Sequence, residues 1–474
     1  MTTAPLILWF RRDLRLADHP MLSAAVQTGR PLVPVFLLDP QTEAIGAAAK
    51  WRLGQAIEVF QASLAALGSR LILRRGETGP QMAALIAETG ATGVWWQRRY
   101  DPVSIACDSA VKHLLRSAGL EARSFAGAML LEPWQLQTGA GGPYRVFTPF
   151  WTALRSREIA APDAAPTQLI SPDHWLASDQ ISDWHLGKAV QRGAAVLARH
   201  AVVGEAAARF RLDRFLAQTV ESYADQRDRV DRAATSDLSE NLTTGEIGPR
   251  TIWHEARAAM IMGAAGAEAF LRQLAWRDFA THLFYHFPHM DRQNWRPDWE
   301  DFAWRADNPD AERWRRGMTG EPFVDAAMRQ MYVTGRMHNR ARLVAASYLT
   351  KHLLTDWRVG LDWFADCLTD WDPASNAMGW QWVAGCGPDA APYFRIFNPA
   401  TQAEKFDPDR QYRDGFLAEF AAPPVGGPQN PADDFFDAVP KSWQLDPINP
   451  YPQPVINLSD GRLRALAAYQ KRKT

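Results

Sequence analysis

Along the chain, apolar residues come first in short unbroken runs and later at helical spacing. Residues 5–10, 32–38, 71–73, 93–96 and 122–125 are runs of the kind that a strand buried on both faces requires. Between them, residues 47–67, 80–89 and 103–118 carry apolar positions three and four apart, the signature of helices with one buried face. Strands and helices alternating at this interval predict crossover units, hence a parallel, Rossmann-like sheet covered on both sides. No GxGxxG follows the first run, so the common dinucleotide fingerprint is missing from its usual place.

Beyond residue 133 the pattern changes. Residues 133–200 are rich in Gly, Pro and Ala, with 139–143 and 160–172 as the clearest breakers, and predict a long connector lying over the surface. From 201 onward the periodicity is helical, at 205–222, 251–262, 267–287, 322–334, 339–356 and 360–369. The expected organisation is an α/β domain over 1–132, a connector over 133–200 and an all-α domain over 201–474. Residues 401–440 hold eight acids (Glu404, Asp407, Asp409, Asp414, Glu419, Asp433, Asp434 and Asp437) against three bases, amid Pro and Gly, and read as solvated loop.

Composition narrows the class without naming it. The 474 residues are 47% hydrophobic and 22% charged, which sets disorder and collagen-like repeats aside. Net charge is −1, so any nucleic-acid partner must be met by a local basic patch. The longest charge-free run, 373–388, is too short and too rich in Gly, Pro and Asn for a membrane span. The first residues lack a basic leader, and the expectation is a cytosolic monomer. Three cysteines without CxxC spacing argue against a disulfide scaffold, a cysteine zinc site or a four-cysteine iron–sulfur cluster. Twenty tryptophans, twelve after residue 250, are unusual, because each buried indole N–H needs a partner. They fit a large helical core, or else stacking, a flat cofactor or electron transfer.

Strings of residues go further. They are LWFRRDLRLADHP at 8–20, TSDLSENL at 235–242, WRDF at 276–279 and GEPFVDAAMRQMYVTGRMHNRARL at 320–343. TDWR at 355–358, DWDPASNAMGWQW at 370–382, DAAPYFRIFNP at 389–399 and YPQPVINL at 451–458 follow in order. Over nearly the whole chain these resemble the DNA photolyase and cryptochrome flavoproteins, and among them the bacterial cyclobutane-dimer photolyases related to plant cryptochromes. The resemblance implies an N-terminal antenna domain and a helical domain holding bent FAD. It also implies that blue light drives an electron from reduced flavin into a pyrimidine dimer flipped out of DNA.

A hydroxyl-rich segment before a helix suits a phosphate or serves simply as an N-cap. The resemblance assigns Thr235, Ser236, Leu238 and Ser239 to the FAD phosphates, with Tyr223 nearby. It sets Arg342, Asp370 and Asp372 around the flavin ring and ribityl chain, where an Arg–carboxylate pair favours the reduced anion through charge. Trp371 stands between the two aspartates where relatives carry a small residue. Asn376 aligns with the residue facing flavin N5; an amide there is similar to photolyases, an aspartate to plant cryptochromes. On a helix Asn376 and Trp380 share a face, whereas Trp380 and Trp382 point apart. Trp304, Trp357 and Trp380 match the three tryptophans that relay electrons from the surface to flavin.

For the substrate, Trp276 and Trp382 match the aromatic walls around a flipped dimer, and Asn339 and Arg340 match pocket and backbone contacts. Gln273 replaces the usual glutamate, and Leu343 the usual methionine. Glutamine at that position is similar to the (6-4) photolyases, which carry paired histidines where this chain has His338-Asn339-Arg340. Two alternatives follow: a cryptochrome-like photoreceptor without repair, and a (6-4) photolyase. Residues 333–360 carry five bases (Arg336, Arg340, Arg342, Lys351, Arg358) against Asp356, a candidate DNA-facing patch. His282, His286 and His289 lack the further ligands of a zinc site, and no metal is expected. The resemblance suggests methenyltetrahydrofolate as antenna, in the N-terminal domain or in its groove with the helical domain. The 97–104 segment, QRRYDPVS, lacks the glutamate of some folate-binding relatives.

Overall fold

A computed structural model describes residues 4–472 except 390–392, 394, 421–430 and 447. Five parallel strands form one sheet: β1 (Leu6–Phe10), β2 (Leu32–Leu38), β3 (Ile72–Arg75), β4 (Gly93–Gln97) and β5 (Glu121–Phe125), in the order β3-β2-β1-β4-β5. Leu6 lies beside Leu32 on one side and Gly93 on the other, so the first strand is central. β1, β2 and β4 are buried at every position, as their unbroken apolar runs require, whereas β5 at the edge has one fully buried residue, Phe125. Helices begin where the sequence caps them. Asp101 accepts from Ser104 N at 2.9 Å and starts the helix Pro102–Ser117.

The helical half is built on one contiguous core, in which the helix Pro373–Ala384 packs against both Ala267–His286 and Asn339–Ser347. Part of the expected connector belongs to that core. Phe147, Phe150, Trp151 and Leu154 of the helix Phe147–Arg155 are buried against helix 267–286. Four apolar residues on one helical face outweigh the Gly and Pro around them. The expected helix over 339–356 also ends early, passing at Ser347 into one π turn, Tyr348–His352, that the C-terminal helix Leu458–Arg472 covers.

The acidic tract corrects the reading most. Where it is described, residues 401–440 are helical at Pro399–Phe406, Gln411–Phe416 and Pro431–Ala438, packed on the helix Pro322–Thr334. Three of the acids are structural. Glu419 takes two bonds, 2.7 and 2.8 Å, from the fully buried Arg329, and Asp407 accepts from Arg413 Nε and Tyr412 N. Asp434 pairs with Arg199. Pro- and Gly-rich residues 421–430 lie outside the described residues, as do Ala390, Ala391, Pro392 and Phe394 of the string at 389–399.

Strand β1 leads directly into the joint between the halves. Leu14 N donates to Thr244 O, Arg15 to Gly245 O, and Asp18 pairs with Arg250. Gly245, at φ 75°, lets the two backbones touch: a Cβ there would lie 2.2 Å from Arg12 O. Buried beside it, Arg52 makes a two-pronged bond to Glu246 at 2.9 and 2.7 Å. No helix among the described residues is long and apolar enough to cross a membrane.

Candidate functional site

The segments singled out by the sequence are laced together by hydrogen bonds. Thr243, on the short helix that Ser239 opens, donates to Asp370 O at 3.1 Å. Thr369 donates to Glu240 Oε1 at 2.6 Å. Glu240 is buried and also faces Arg211. The hydroxyl segment 235–239 is thereby fixed beside the Asp370 loop. Asp237 takes the left-handed conformation, φ 54°, and its carboxylate accepts from Thr235 Oγ1 at 3.0 Å. Ser236 is half-buried, Ser239 exposed and Leu238 buried, while Tyr223 packs edge-on against Phe215 and Phe270.

Arg342 closes the other side. Its Nη2 donates to both oxygens of Asp370 at 2.9 and 2.7 Å, and its Nε holds Met337 O. Asp372 does something simpler: it caps the helix Pro373–Ala384 by accepting from Ser375 N at 2.8 Å. Asn376, one turn on, donates from Nδ2 to Leu361 O at 3.0 Å. With the nitrogen so engaged, the amide oxygen is the group's acceptor.

These residues fit a bent dinucleotide. Hydroxyls and a left-handed turn at one end suit phosphates, and a partly buried ion pair at the other suits a ring that becomes anionic. Two buried nitrogens, His338 Nε2 and Trp380 Nε1, take no partner from the described residues. Burial pushes the His338 imidazole down to about 4, so it stands neutral, and because its Nδ1 accepts from Arg340 N at 3.1 Å its Nε2 is left as a donor.

Of the three relay candidates, two are buried and one is half-buried. Trp380 is buried against Phe364 and Trp314, with ring centroids 4.8 and 6.0 Å away. Its ring lies on Gly360, in the first turns of the helix Trp357–Cys367. Trp357, which opens that helix, is fully buried and donates to Asn294 at 3.0 Å. A bridge between Arg305 and Thr355 joins the backbone next to Trp304 to the segment that leads into Trp357, and Trp304 is half-buried.

The expected substrate residues occupy three helices, the third of which packs on the other two. Gln273 and Trp276 are on 267–286, Asn339, Arg340 and Leu343 on 339–347, and Trp382 on 373–384. Trp276 stacks on Phe147 at 3.7 Å and 9°, so one face is backed and the ring is held flat. Sequence reasoning missed Phe147, whose only signal was an aromatic in an otherwise weak segment. It also missed Arg227, which donates to Gln273 Oε1 at 2.9 Å, while the adjacent Asp228 pairs with Arg340 at 2.5 Å. Leu343 is half-buried against the core, and Asn339 is exposed.

The basic patch at 333–360 is not a free surplus. Lys351 is buried, held by Arg395 O and lowered to about 7 by burial, and Arg358 is paired with Asp356. Arg340 and Arg342 are taken by Asp228 and Asp370. The histidines also have structural work. His282 Nε2 accepts from Tyr144 N, and its Nδ1 faces Pro133 O at 3.0 Å; burial beside His286 lowers it to about 4.

Trp371 finds its room between the domains. With Arg12, Asp39, Arg99, Asp101 and Asn376 it lines a groove of about 700 Å³. Arg12 lies 5.5 Å over the indole, and burial together with Arg99 lowers its guanidinium to about 10. The bulk that departs from the family pattern therefore faces the joint between the halves.

Fold and site define a two-domain flavin-binding class, and comparison with known proteins specifies it. Residues 6–168 match the family described as DNA photolyase, and residues 270–471 the FAD binding domain of DNA photolyase. A deoxyribodipyrimidine photo-lyase of Agrobacterium fabrum is 43% identical, covering 99% of this chain and 98% of the relative. Cryptochrome-1 of Arabidopsis thaliana is 31% identical over 97% of this chain and 69% of its own. Among solved structures, a bacterial class III photolyase from Agrobacterium tumefaciens superposes with a TM-score of 0.90 at 42% identity, covering 100% of this chain and 98% of that one. A photolyase from Sulfolobus tokodaii, solved with two FAD molecules, gives 0.80 at 26% identity, covering 98% and 100%. The chain belongs to the DNA photolyase and cryptochrome family, and FAD is its cofactor.

Proposed function

We propose that this protein is a blue-light-dependent enzyme that reverses cyclobutane pyrimidine dimers in DNA. What carries this reading is the placement of Gln273 and Trp276 on helix 267–286, Arg340 and Leu343 on helix 339–347, and Trp382 on helix 373–384, which packs against both, with the Arg342–Asp370 pair joining the second to the loop before the third. When bound, FAD supplies light-driven donation of one electron. Arg342 fixes Asp370 and adds positive charge where the reduced ring would sit. Asn376, anchored by Leu361 O, presents an acceptor at a fixed height. Trp276, backed by Phe147, offers a flat face to a flipped base, and base–aromatic stacking is worth about 1–3 kcal/mol. Photolyases are among the general examples of enzymes that extrude the base they act on. Trp380, Trp357 and Trp304 form the route by which electrons restore the reduced state from the surface.

The interdomain groove under Arg12 and Trp371 supports a second chromophore. A folate-type antenna, methenyltetrahydrofolate, fits its aromatic floor and arginine rim. The protein is expected to act as a cytosolic monomer on damaged DNA. The test illuminates the reduced, flavin-loaded protein with one oligonucleotide carrying a cyclobutane dimer and another carrying a (6-4) lesion. Reversal of the cyclobutane dimer alone is expected. Reversal of the (6-4) lesion alone assigns the other lesion. Turnover of neither, with normal flavin photoreduction, assigns a cryptochrome-like photoreceptor and refutes the repair reading.

A further inference from the structure

Gln273 is held by a neighbour 46 residues away. Arg227 Nη2 donates to its Oε1 at 2.9 Å, and the same guanidinium lies 5.6 Å from the Tyr223 ring centroid. Asp228, next in the chain, is tied to Arg340, so the loop that carries Arg227 is anchored on two helices. A carboxamide has two edges, an oxygen that accepts and a nitrogen that donates. Left alone it turns to suit either a ring N–H or a ring carbonyl. A guanidinium carries donors only, so it selects the oxygen and sends the N–H2 the other way.

We propose that Arg227 is a positioning residue that locks Gln273 with its N–H2 edge toward the lesion, so that the base is read by a donor. This rests on the reading of Gln273 as facing a flipped pyrimidine. The consequence is a change in substrate chemistry. A carboxylate at 273 offers only acceptors and demands a proton at N3 of the pyrimidine. A donor instead reads a carbonyl, or a ring nitrogen without a proton. This pocket is therefore indifferent to the N3 proton, and it takes dimers whose N3 is an acceptor as well as thymine dimers.

The experiment measures dark binding of the flavin-loaded protein to three oligonucleotides. One carries a thymine dimer, one the same dimer built with 3-deazathymine, in which C–H replaces N3–H, and one is undamaged. The wild type should bind both dimers within about threefold of each other, whereas Gln273→Glu should lose on the order of tenfold on the deaza probe, the worth of one hydrogen bond to a charged group. Arg227→Gln should acquire part of that discrimination, and Arg227→Lys, which keeps a donor, should retain the wild-type ratio. A purely structural role for Arg227 lowers both affinities and leaves their ratio alone, which overturns the proposal. So does a tenfold loss on the deaza probe by the wild type, while its preference for dimer over undamaged DNA keeps the repair reading intact. No preference for the dimer at all overturns both.

Discussion

A methyl group on Gly360 would lie 2.0, 2.4 and 2.5 Å from three carbons of the Trp380 ring. Unstrained carbon contacts are about 3.5–4.0 Å, so Gly360→Ala forces the indole or the helix to retreat by roughly 1.5 Å. Two effects compete. Alanine in place of glycine inside a helix is worth about 1 kcal/mol in its favour. Overpacking costs about 1–3 kcal/mol, and more where the neighbours are fixed. Trp380 is fixed: it is 2% exposed and wedged against Phe364 and Trp314. The clash wins, with a net loss of about 1–2 kcal/mol or more. Thermal unfolding of the flavin-loaded protein should then show a Tm lower by about 2–8 °C, taking about 2–4 °C per kcal/mol for a domain of this size. Photoreduction of oxidised flavin should slow, because the first tryptophan of the proposed relay has moved. An unchanged or raised Tm together with an unchanged rate refutes the packing of Trp380 on Gly360.

Three further outcomes are expected. Glu419→Ala leaves Arg329 buried without its partner and should cost about 3–5 kcal/mol in denaturant unfolding; a loss under 0.5 kcal/mol would mean that this stretch is solvated after all. Asp278 is buried, accepts from Leu130 N, and has its carboxyl raised to about 6 from an ordinary 3.8. The folded state thus binds the extra proton, so stability falls as pH rises from about 4 to 6 and is level above, by on the order of 2–3 kcal/mol in all. Relative to the wild type, Asp278→Asn should lack this slope in unfolding free energies between pH 4 and 7, and parallel curves would contradict the assignment. Trp304→Phe should slow photoreduction of oxidised flavin in flash experiments yet spare repair by pre-reduced protein; equal loss of both would remove Trp304 from the relay.

What the sequence made legible was local. Unbroken apolar runs and intervening helical periods were enough for the parallel sheet, because burial on both faces leaves no polar position in β1 or β2 and only the terminal Gln97 in β4. The ordered strings brought together the hydroxyl segment and the Arg342–Asp370 pair. Hidden from it were partnerships across long separations. The acids of 401–440 look like a solvated tail until Arg329, 90 residues before Glu419, and Arg199, 235 before Asp434, are seen to meet them. Arg227 looked like one surface arginine among many, and Phe147 like a residue of a connector. The room that Trp371 needs was not legible either, because the string gives neighbours in sequence and not the groove that a residue lines. Counting bases over 333–360 overstated the DNA-facing charge, since all five meet a partner in the fold, Arg336 lying 3.9 Å from Glu240.

The most direct measurement is an action spectrum for dimer reversal, taken with purified protein whose flavin is fully reduced. Reversal should vanish in the dark and follow, wavelength by wavelength, the absorption of the bound chromophores. Reversal that proceeds without light, or a coloured, reduced protein that leaves the dimer intact at every wavelength, would contradict the claim that this helical half turns absorbed light into repair.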